Sequence, residues 1–180
     1  VSTGTWTIVM ATQVPLENLD ANKDMLANID ATGNPIACAR FMGGREFEAI
    51  CEHAGSWLGE QFDEKDIQHI IDKQVFALPD FSDGSGPFGG RNSGFIGDVH
   101  QISGIALATL YCALTIDYQL EMLGAKGKVF IEGAFLKNPL LCAVINQLRV
   151  GQDIFLSKDS TGTVQGAGHL TAWDDFECRI

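Results

Sequence analysis

Two turns built from small residues carry most of the chemical information in this sequence. The first, residues 2–6, reads Ser-Thr-Gly-Thr-Trp and runs directly into a predicted apolar strand at residues 7–10. The second starts at Gly133, after a predicted strand at residues 128–131, and leads into a helix. Glycine lets a backbone approach phosphate or base closely, and N–H groups at a turn or helix start favour negative charge. The pair therefore predicts a nucleotide held between the two turns.

Each turn also has an ordinary structural interpretation. Gly4 followed by Thr5 is typical of a hairpin or bulge glycine at the edge of a strand. Gly133 followed by Ala134 is typical of a tight connection between a strand and a helix, where any small residue fits. The nucleotide hypothesis gains specificity only when both turns and the order of elements between them are taken together.

Composition narrows the classes of partner. The chain has 180 residues, which suits one domain or one lobe of a larger protein, and 46% of them are hydrophobic, enough for a substantial core. The formal net charge is −11 and the sequence pI is about 4.6. The negative charge of the chain repels a nucleic-acid duplex or an acidic membrane surface. We therefore expect neither nucleic acid nor membrane as a partner.

The cysteines indicate a reducing compartment. There are five, they are widely spaced, and none forms a C-x-x-C pair. We expect buried free thiols and a cytoplasmic location rather than a disulfide framework or a zinc site. The four histidines do not fall at metal-ligand spacing either, so no metal site is expected. Because the chain lacks an initiating Met and starts near a strand, we expect it to be the C-terminal piece of a longer protein.

The elements that must position the turns alternate between strands and helices in the second half, which predicts an α/β fold with some parallel pairing. Residues 13–34 are expected to form short strands or a crossing loop, and residues 79–94 a long functional or mobile loop. Strands are predicted at residues 36–42 and 153–156. Helices are predicted from Arg45 (with Phe47, Ile50, Cys51, Ala54 and Leu58 on one face), at 64–73 (with Ile67, Ile70 and Ile71 buried), and at 99–123, 139–150 and 162–173.

Two further patterns contain residue types that could do chemistry. Residues 84–89 match G-x-G-x-x-G, but no clear strand precedes them and no helix follows, so a dinucleotide fingerprint is rejected. Arg45, Glu46 and Glu48 follow a glycine pair at a predicted helix start. They are either a solvated face with local ion pairs or polar contacts to a ligand at the helix N-terminus, and both interpretations stay open.

Taken together, these motifs resemble the C-terminal lobe of the FGGY carbohydrate kinases, in the actin-like ATPase group. Residues 2–6 are similar to the family's opening S-G-T-W, most of all in the rhamnulose and fuculose kinases. Residues 41–46 resemble its M-G turn, residues 79–97 its Pro- and Gly-rich segment, residues 133–138 its G-G-A-x-x-N/S turn, and residues 163–173 its terminal helix. The resemblance implies a ribonuclease H-like α/β lobe over residues 1–180, with a mixed sheet flanked by helices.

The resemblance also implies an activity and its residues. Such kinases transfer the γ-phosphoryl group of ATP, with Mg²⁺, to a hydroxyl of a ketose or related sugar. By this likeness Thr5 with Gly4 contacts the phosphate end of ATP, and Gly133, Ala134 and Asn138 contact the adenosine.

Less directly, the likeness implicates Gly43 in ATP binding and places the 84–94 loop at the cleft. The expected partners are ATP, the sugar and the N-terminal lobe of the same protein, with a homodimer left open. The catalytic base of relatives lies upstream of Val1, so no catalytic residue is expected in this chain, which alone should be inactive.

Two departures keep an alternative open. Glu132 stands where the family usually has a glycine, and residues 108–111 of the long helix lack the family's Arg and acid. The alternative is a non-catalytic actin-like module for regulation or assembly.

Overall fold

A six-stranded mixed sheet forms the frame of the chain in a computed structural model that describes residues 1–82, 84–158 and 161–171. The strand order is β3-β4-β2-β1-β7-β8, and a separate hairpin pairs β5 with β6. The strands are β1 (Ser2–Thr3), β2 (Thr7–Ala11), β3 (Met25–Ile29), β4 (Pro35–Phe41), β5 (Phe76–Leu78), β6 (Gly94–Ile96), β7 (Val129–Gly133) and β8 (Ile154–Leu156).

The short strand β1 brings the two predicted turns together. It pairs antiparallel with β2, with Thr3 opposite Thr7, and parallel with β7, with Thr3 opposite Gly133. Both turns therefore leave adjacent strands at neighbouring positions in the middle of the sheet. The predicted mixed α/β architecture is confirmed.

Five helices complete the described structure: α1 (Gly43–His53), α2 (Glu64–Lys73), α3 (Gly104–Met122), α4 (Pro139–Leu148) and α5 (Gly162–Leu170). Side-chain caps fix three of their starts. Asp63 and Asp66 form a capping box at α2, while Ser103 caps α3 and Asn138 caps α4. Within the described residues, no helix is both long and apolar enough to cross a membrane.

Helix α3 is apolar almost all round because it is surrounded by other elements. It packs against α1, α2, α4 and β2. Alternate residues of β2 and β4, including Val9, Ala39 and Phe41, are fully buried in the same core. The core thus lies on one face of the sheet, on the same side as helices α1 and α4.

Several predicted boundaries were wrong for local reasons. Helix α1 ends at His53 before Gly55, whose φ is +73°, so Leu58 lies beyond the helix and is 56% exposed. Ile71 of α2 is 45% exposed rather than buried. Helix α3 begins at Gly104 because Ser103 caps it.

Short elements account for the remaining differences. Residues 13–34 contain one strand, β3, and two 3₁₀ turns rather than several short strands, and the β5–β6 hairpin on either side of the long loop was not predicted. The terminal helix is described only to Leu170, and its predicted end at Trp173 lies outside the described residues.

Candidate functional site

A cleft of about 950 Å³ opens where the two turns meet the starts of α1 and α4. Four of the six residues predicted for ATP line it: Gly4, Thr5, Ala134 and Asn138. The other two, Gly43 and Gly133, are each the immediate neighbour of a lining residue. The structure therefore brings the predicted residues together at one place on the surface.

The first turn is held by the start of α1. The backbone N–H of Gly44 donates to the carbonyl oxygens of Gly4 at 3.1 Å and Thr5 at 3.2 Å. A Cβ on Gly44 would lie 2.8 Å from the Gly4 oxygen, so only glycine fits this contact. Sequence reasoning missed Gly44, although the adjacent glycine pair was a signal. The Thr5 side chain is left exposed towards the cleft.

The second turn depends on a close approach of β7 to β1. Gly133 has φ +94°, and a Cβ there would run into the carbonyl oxygen of Thr3. The Thr3 hydroxyl donates to the Glu132 carbonyl at 2.6 Å and accepts from the Phe135 N–H at 3.0 Å. Gly133 is thus required by the packing of the two strands, and it leaves Ala134 exposed at the cleft.

Both polar atoms of the Asn138 side chain form hydrogen bonds within the protein. Its Oδ1 accepts from the backbone N–H of Leu141 at 3.0 Å, which caps α4. Its Nδ2 donates to Oγ1 of Thr109 on α3 at 2.8 Å. Asn138 therefore fixes the wall of the cleft by joining the start of α4 to the core helix.

Gly43 lies beneath the cleft rather than on its surface. It is buried, and a Cβ there would run into Oγ1 of Thr7 on β2. This close contact lets the start of α1 sit directly on the sheet. Gly43 therefore allows the neighbouring Gly44 to come close enough to hydrogen-bond to the first turn.

The cleft combines an apolar wall with charged edges. The rings of Phe47 and Phe135 lie 5.9 Å apart on one side. Arg45 and Lys137 add positive charge near the two turns, and the N-terminus of α1 lies here, which favours an anion. Four acidic residues also line the cleft: Glu48, Glu60, Asp63 and Glu64. Such a lining can hold a flat ring and an anionic group together.

Glu46 contradicts both interpretations offered for it from sequence. It is only 2% exposed and faces the core, where the Tyr111 hydroxyl donates to its Oε2. Oγ of Ser82 lies 2.9 Å from Glu46 Oε1 and 3.0 Å from Asp80 Oδ1.

A single hydroxyl proton cannot be donated to both of those carboxylates at once, so the neutral form of one acid is favoured here. Burial raises the pKa of Glu46, although the hydrogen bonds from Tyr111 and Ser82 oppose this. Of the two acids, Glu46 is therefore the one whose protonated form the site favours.

Asp80 organises the glycine-rich loop from inside. Its carboxylate accepts the backbone N–H groups of Ser82 at 2.6 Å, Gly84 at 2.6 Å and Gly90 at 3.0 Å. Burial acts to raise the pKa of Asp80, but these hydrogen bonds outweigh it and hold the pKa below its ordinary value. Because the loop amides already have partners, the match to G-x-G-x-x-G has no phosphate-binding meaning. The loop lines a recess beside Trp6 rather than the cleft described above.

The thiols are structural. Cys38, Cys51, Cys112 and Cys142 are buried and free, and burial raises the pKa of Cys51 to about 12. Cys178 lies outside the described residues. Over residues 1–82, 84–158 and 161–171, no group of three or more His, Cys, Asp or Glu side chains is placed to hold a metal ion.

Comparison with known proteins identifies the family. The family model for the C-terminal domain of the FGGY carbohydrate kinases matches residues 1–177. The crystal structure of a carbohydrate kinase from Novosphingobium aromaticivorans is similar, with a TM-score of 0.80 and 29% sequence identity. That match covers 94% of this chain and 38% of the other chain, and no curated protein matches. The chain has the actin-like ATPase fold and belongs to the FGGY carbohydrate kinase family, whose C-terminal domain it matches.

Proposed function

We propose that this lobe binds ATP in the cleft and belongs to a longer kinase that phosphorylates a hydroxyl of a ketose or related sugar. The observation that carries the proposal is the convergence of Gly4, Thr5, Ala134 and Asn138 on one cleft, although the two pairs are far apart in sequence. Membership of the FGGY family supports the same activity.

Thr5 with Gly4 takes the phosphate end of ATP in this proposal. The Thr5 hydroxyl is exposed and has no hydrogen-bond partner within the described residues, so it is free to donate to a phosphate oxygen. Arg45 and the N-terminus of α1 lie on the same side and favour negative charge. Phosphoryl transfer depends mainly on such positioning and charge stabilisation.

The adenosine lies against the second turn. Ala134 is small and exposed, and the apolar wall that includes Phe47 and Phe135 suits a purine ring. Asn138 contributes by fixing that wall, while Gly133 and Gly43 allow the close packing beneath the two turns.

Mg²⁺ enters with ATP. Because the described residues hold no metal-binding cluster, the proposal assigns Mg²⁺ to the phosphates of ATP, whose charge it neutralises. The catalytic base belongs to the part of the kinase upstream of this chain, so we expect the lobe alone to be inactive. A cytoplasmic location is supported by the buried free thiols.

Glu132 is weak support for the non-catalytic alternative. Its carboxylate lies close to Gly162 at the start of α5, and Glu132 does not line the cleft. Residues 108–111 of α3 are buried and do not line the cleft. These features leave the cleft open to a nucleotide.

Isothermal titration of ATP and ADP into the full-length protein tests the proposal. Thr5→Ala should weaken ATP binding about tenfold, as expected for a lost hydrogen bond to a charged group, and should lower sugar phosphorylation. Thr12→Ala is the matched control, because Thr12 is also exposed but does not line the cleft. Unchanged ATP affinity and turnover in Thr5→Ala would reject the role of Thr5. No nucleotide binding by the unaltered protein would favour the regulatory module.

A further inference from the structure

The first turn is held from two sides. On one side, the backbone N–H of Gly44 at the start of α1 donates to the carbonyl oxygens of Gly4 and Thr5. On the other side, the guanidinium of Arg40 on β4 stacks on the Trp6 ring, with 4.8 Å between the guanidinium carbon and the ring centroid. Because Thr5 and Trp6 are neighbours in the chain, the two contacts together fix the orientation of the turn.

The contact to Trp6 leads on to the glycine-rich loop that follows β5. Nε of Arg40 lies 2.9 Å from Oδ1 of Asp24, and Oδ2 of the same carboxylate accepts the backbone N–H of Gly86 at 3.1 Å. A Cβ on Gly86 would lie 2.7 Å from Cβ of Phe41, so this part of the loop rests directly on β4. The position of Trp6 therefore depends on the position of the loop.

The loop is internally rigid because Asp80 binds it from inside. The Asp80 carboxylate accepts three backbone N–H groups of the loop, that of Ser82 among them. The N–H of Gly89 donates to the carbonyl oxygen of Gly86 at 3.1 Å, which closes the far end of the loop. A displacement at Ser82 is accordingly transmitted to Gly86.

Glu46 joins this loop back to α1. Its Oε1 lies 2.9 Å from Oγ of Ser82, and its Oε2 accepts from the Tyr111 hydroxyl of α3. Glu46 is two positions after Gly44 in the first turn of α1 and is buried, so both bonds are sheltered from water. The contacts form a closed circuit that runs from α1 through the first turn and the loop to Glu46 and back to α1.

We propose that Glu46 is a positioning residue for phosphoryl transfer, which holds the loop through Ser82 and so sets the position of Trp6 relative to Thr5. The inference rests on the proposed kinase function and adds to it a residue outside the cleft, since Glu46 is not among the cleft's lining residues. Thr5 lies at the place proposed for the phosphate end of ATP. A small displacement beside that place slows the reaction, because the reacting atoms must be held close together and aligned.

Breaking the bond between Glu46 and Ser82 should release one side of the turn and leave the other in place. Gly44 still holds Thr5 in Ser82→Ala, so the KM for ATP should stay within about twofold, whereas kcat should fall about tenfold. Glu46→Ala should have the same effect. Glu46→Gln should keep kcat, because its amide can accept from Tyr111 and donate to Ser82. A general loss of stability would not produce this split between kcat and KM or the rescue by the amide.

Fluorine NMR of the full-length protein labelled with 5-fluorotryptophan tests the link to Trp6 without turnover. The Trp6 resonance is the one that disappears in Trp6→Phe, and Trp57→Phe identifies that of Trp57 in the same way. Ser82→Ala should shift or broaden the Trp6 resonance and leave that of Trp57 unchanged, since Trp57 is exposed and has no part in the circuit. Thr115→Val is the matched control for both measurements, because it removes a similarly buried hydroxyl that donates within its own helix.

The positioning role is overturned if Ser82→Ala leaves the Trp6 resonance in place, if it keeps full kcat, or if Thr115→Val changes either of them as much. Absence of ATP binding and of phosphorylation in the unaltered protein would reject the proposed function, and the role in phosphoryl transfer with it. The Trp6 resonance distinguishes the two failures, because a response to Ser82→Ala in such a protein would show that the circuit exists without the kinase activity.

Discussion

The hydroxyl oxygen of Thr3 lies 3.0 Å from the backbone nitrogen of Phe135 and joins the first strand of the sheet to the turn that leaves its parallel neighbour. The same hydroxyl donates to the Glu132 carbonyl at 2.6 Å. Thr3 is only 5% exposed, so water cannot readily replace either bond. One buried side chain thus sets the distance between the two turns that border the cleft.

Replacing this hydroxyl by a methyl group should loosen the junction. Thr3→Val leaves a buried N–H and a buried carbonyl without their side-chain partner, and we expect a loss of about 1–3 kcal/mol in the free energy of unfolding. Thr115→Val is the matched control, because Thr115 is equally buried but its hydroxyl donates to the carbonyl of Tyr111 in its own helix. Urea denaturation measures both. Equal losses in the two variants would show that the Thr3 bonds add nothing specific.

Gly133→Ala should be far more damaging than the same change at another glycine with positive φ. Gly133 (φ +94°) and Gly151 (φ +88°) share the strained backbone region, but only at Gly133 does the new Cβ meet the Thr3 carbonyl, whereas nothing lies within 4 Å at Gly151. We expect Gly133→Ala to cost about 2 kcal/mol more than Gly151→Ala in urea denaturation. Similar costs would mean that backbone strain alone explains Gly133.

The features of the fold that depend on local sequence pattern were predicted from the sequence. Strand and helix periodicity identified the main elements, and glycine beside Thr5 and Ala134 identified the two turns. Their meeting at one cleft depends on β1 pairing with both β2 and β7, and β1 is only two residues long. A strand of that length has no detectable period, so the sequence predicted that the turns meet but not the strand pairing that joins them.

Glu46 shows why the buried network was missed. Its charge and its place near a helix start are typical of a solvated residue. Its partners Ser82 and Tyr111 lie 36 and 65 positions further along the chain, in a loop and in a core helix. Only tertiary packing brings them together. The same reason hid the stacking of Arg40 on Trp6, which depends on the register of β2 against β4.

Two substitutions at Asn138 separate its role as the cap of α4 from its bond to Thr109. Asn138→Ala loses both the cap of α4 and the bond to Thr109, and should lower the free energy of unfolding by about 1–2 kcal/mol. Asn138→Asp keeps an oxygen that accepts from Leu141 but cannot donate to Thr109, so its loss should be smaller. Thermal unfolding compares the two variants. A larger loss in Asn138→Asp than in Asn138→Ala would contradict the capping role.

The raised pKa of Glu46 should appear as a pH dependence of stability. Burial raises its pKa above the ordinary value of 4.5, so the unfolded chain ionises first as pH increases. The stability that Glu46 contributes is therefore fully present below 4.5 and is lost as pH rises through the folded-state pKa. Asp80 acts in the opposite sense, because its lowered pKa gives stability that is lost as pH falls.

Glu46→Gln isolates this effect. The amide can donate to Ser82 and accept from Tyr111 at every pH, so it mimics the neutral acid without titrating. The difference in unfolding free energy, variant minus unaltered protein, should grow from about pH 4 to about pH 7 in urea denaturation. The pKa of Asp80 lies below its ordinary value, so its own contribution to the pH dependence falls mostly at lower pH. Glu48→Gln, at an exposed position of the same helix, should show no such trend. A difference that stays constant over this range would mean that Glu46 is ionised in the folded protein, and the shared hydroxyl of Ser82 would then have to leave one of its two carboxylates without a proton.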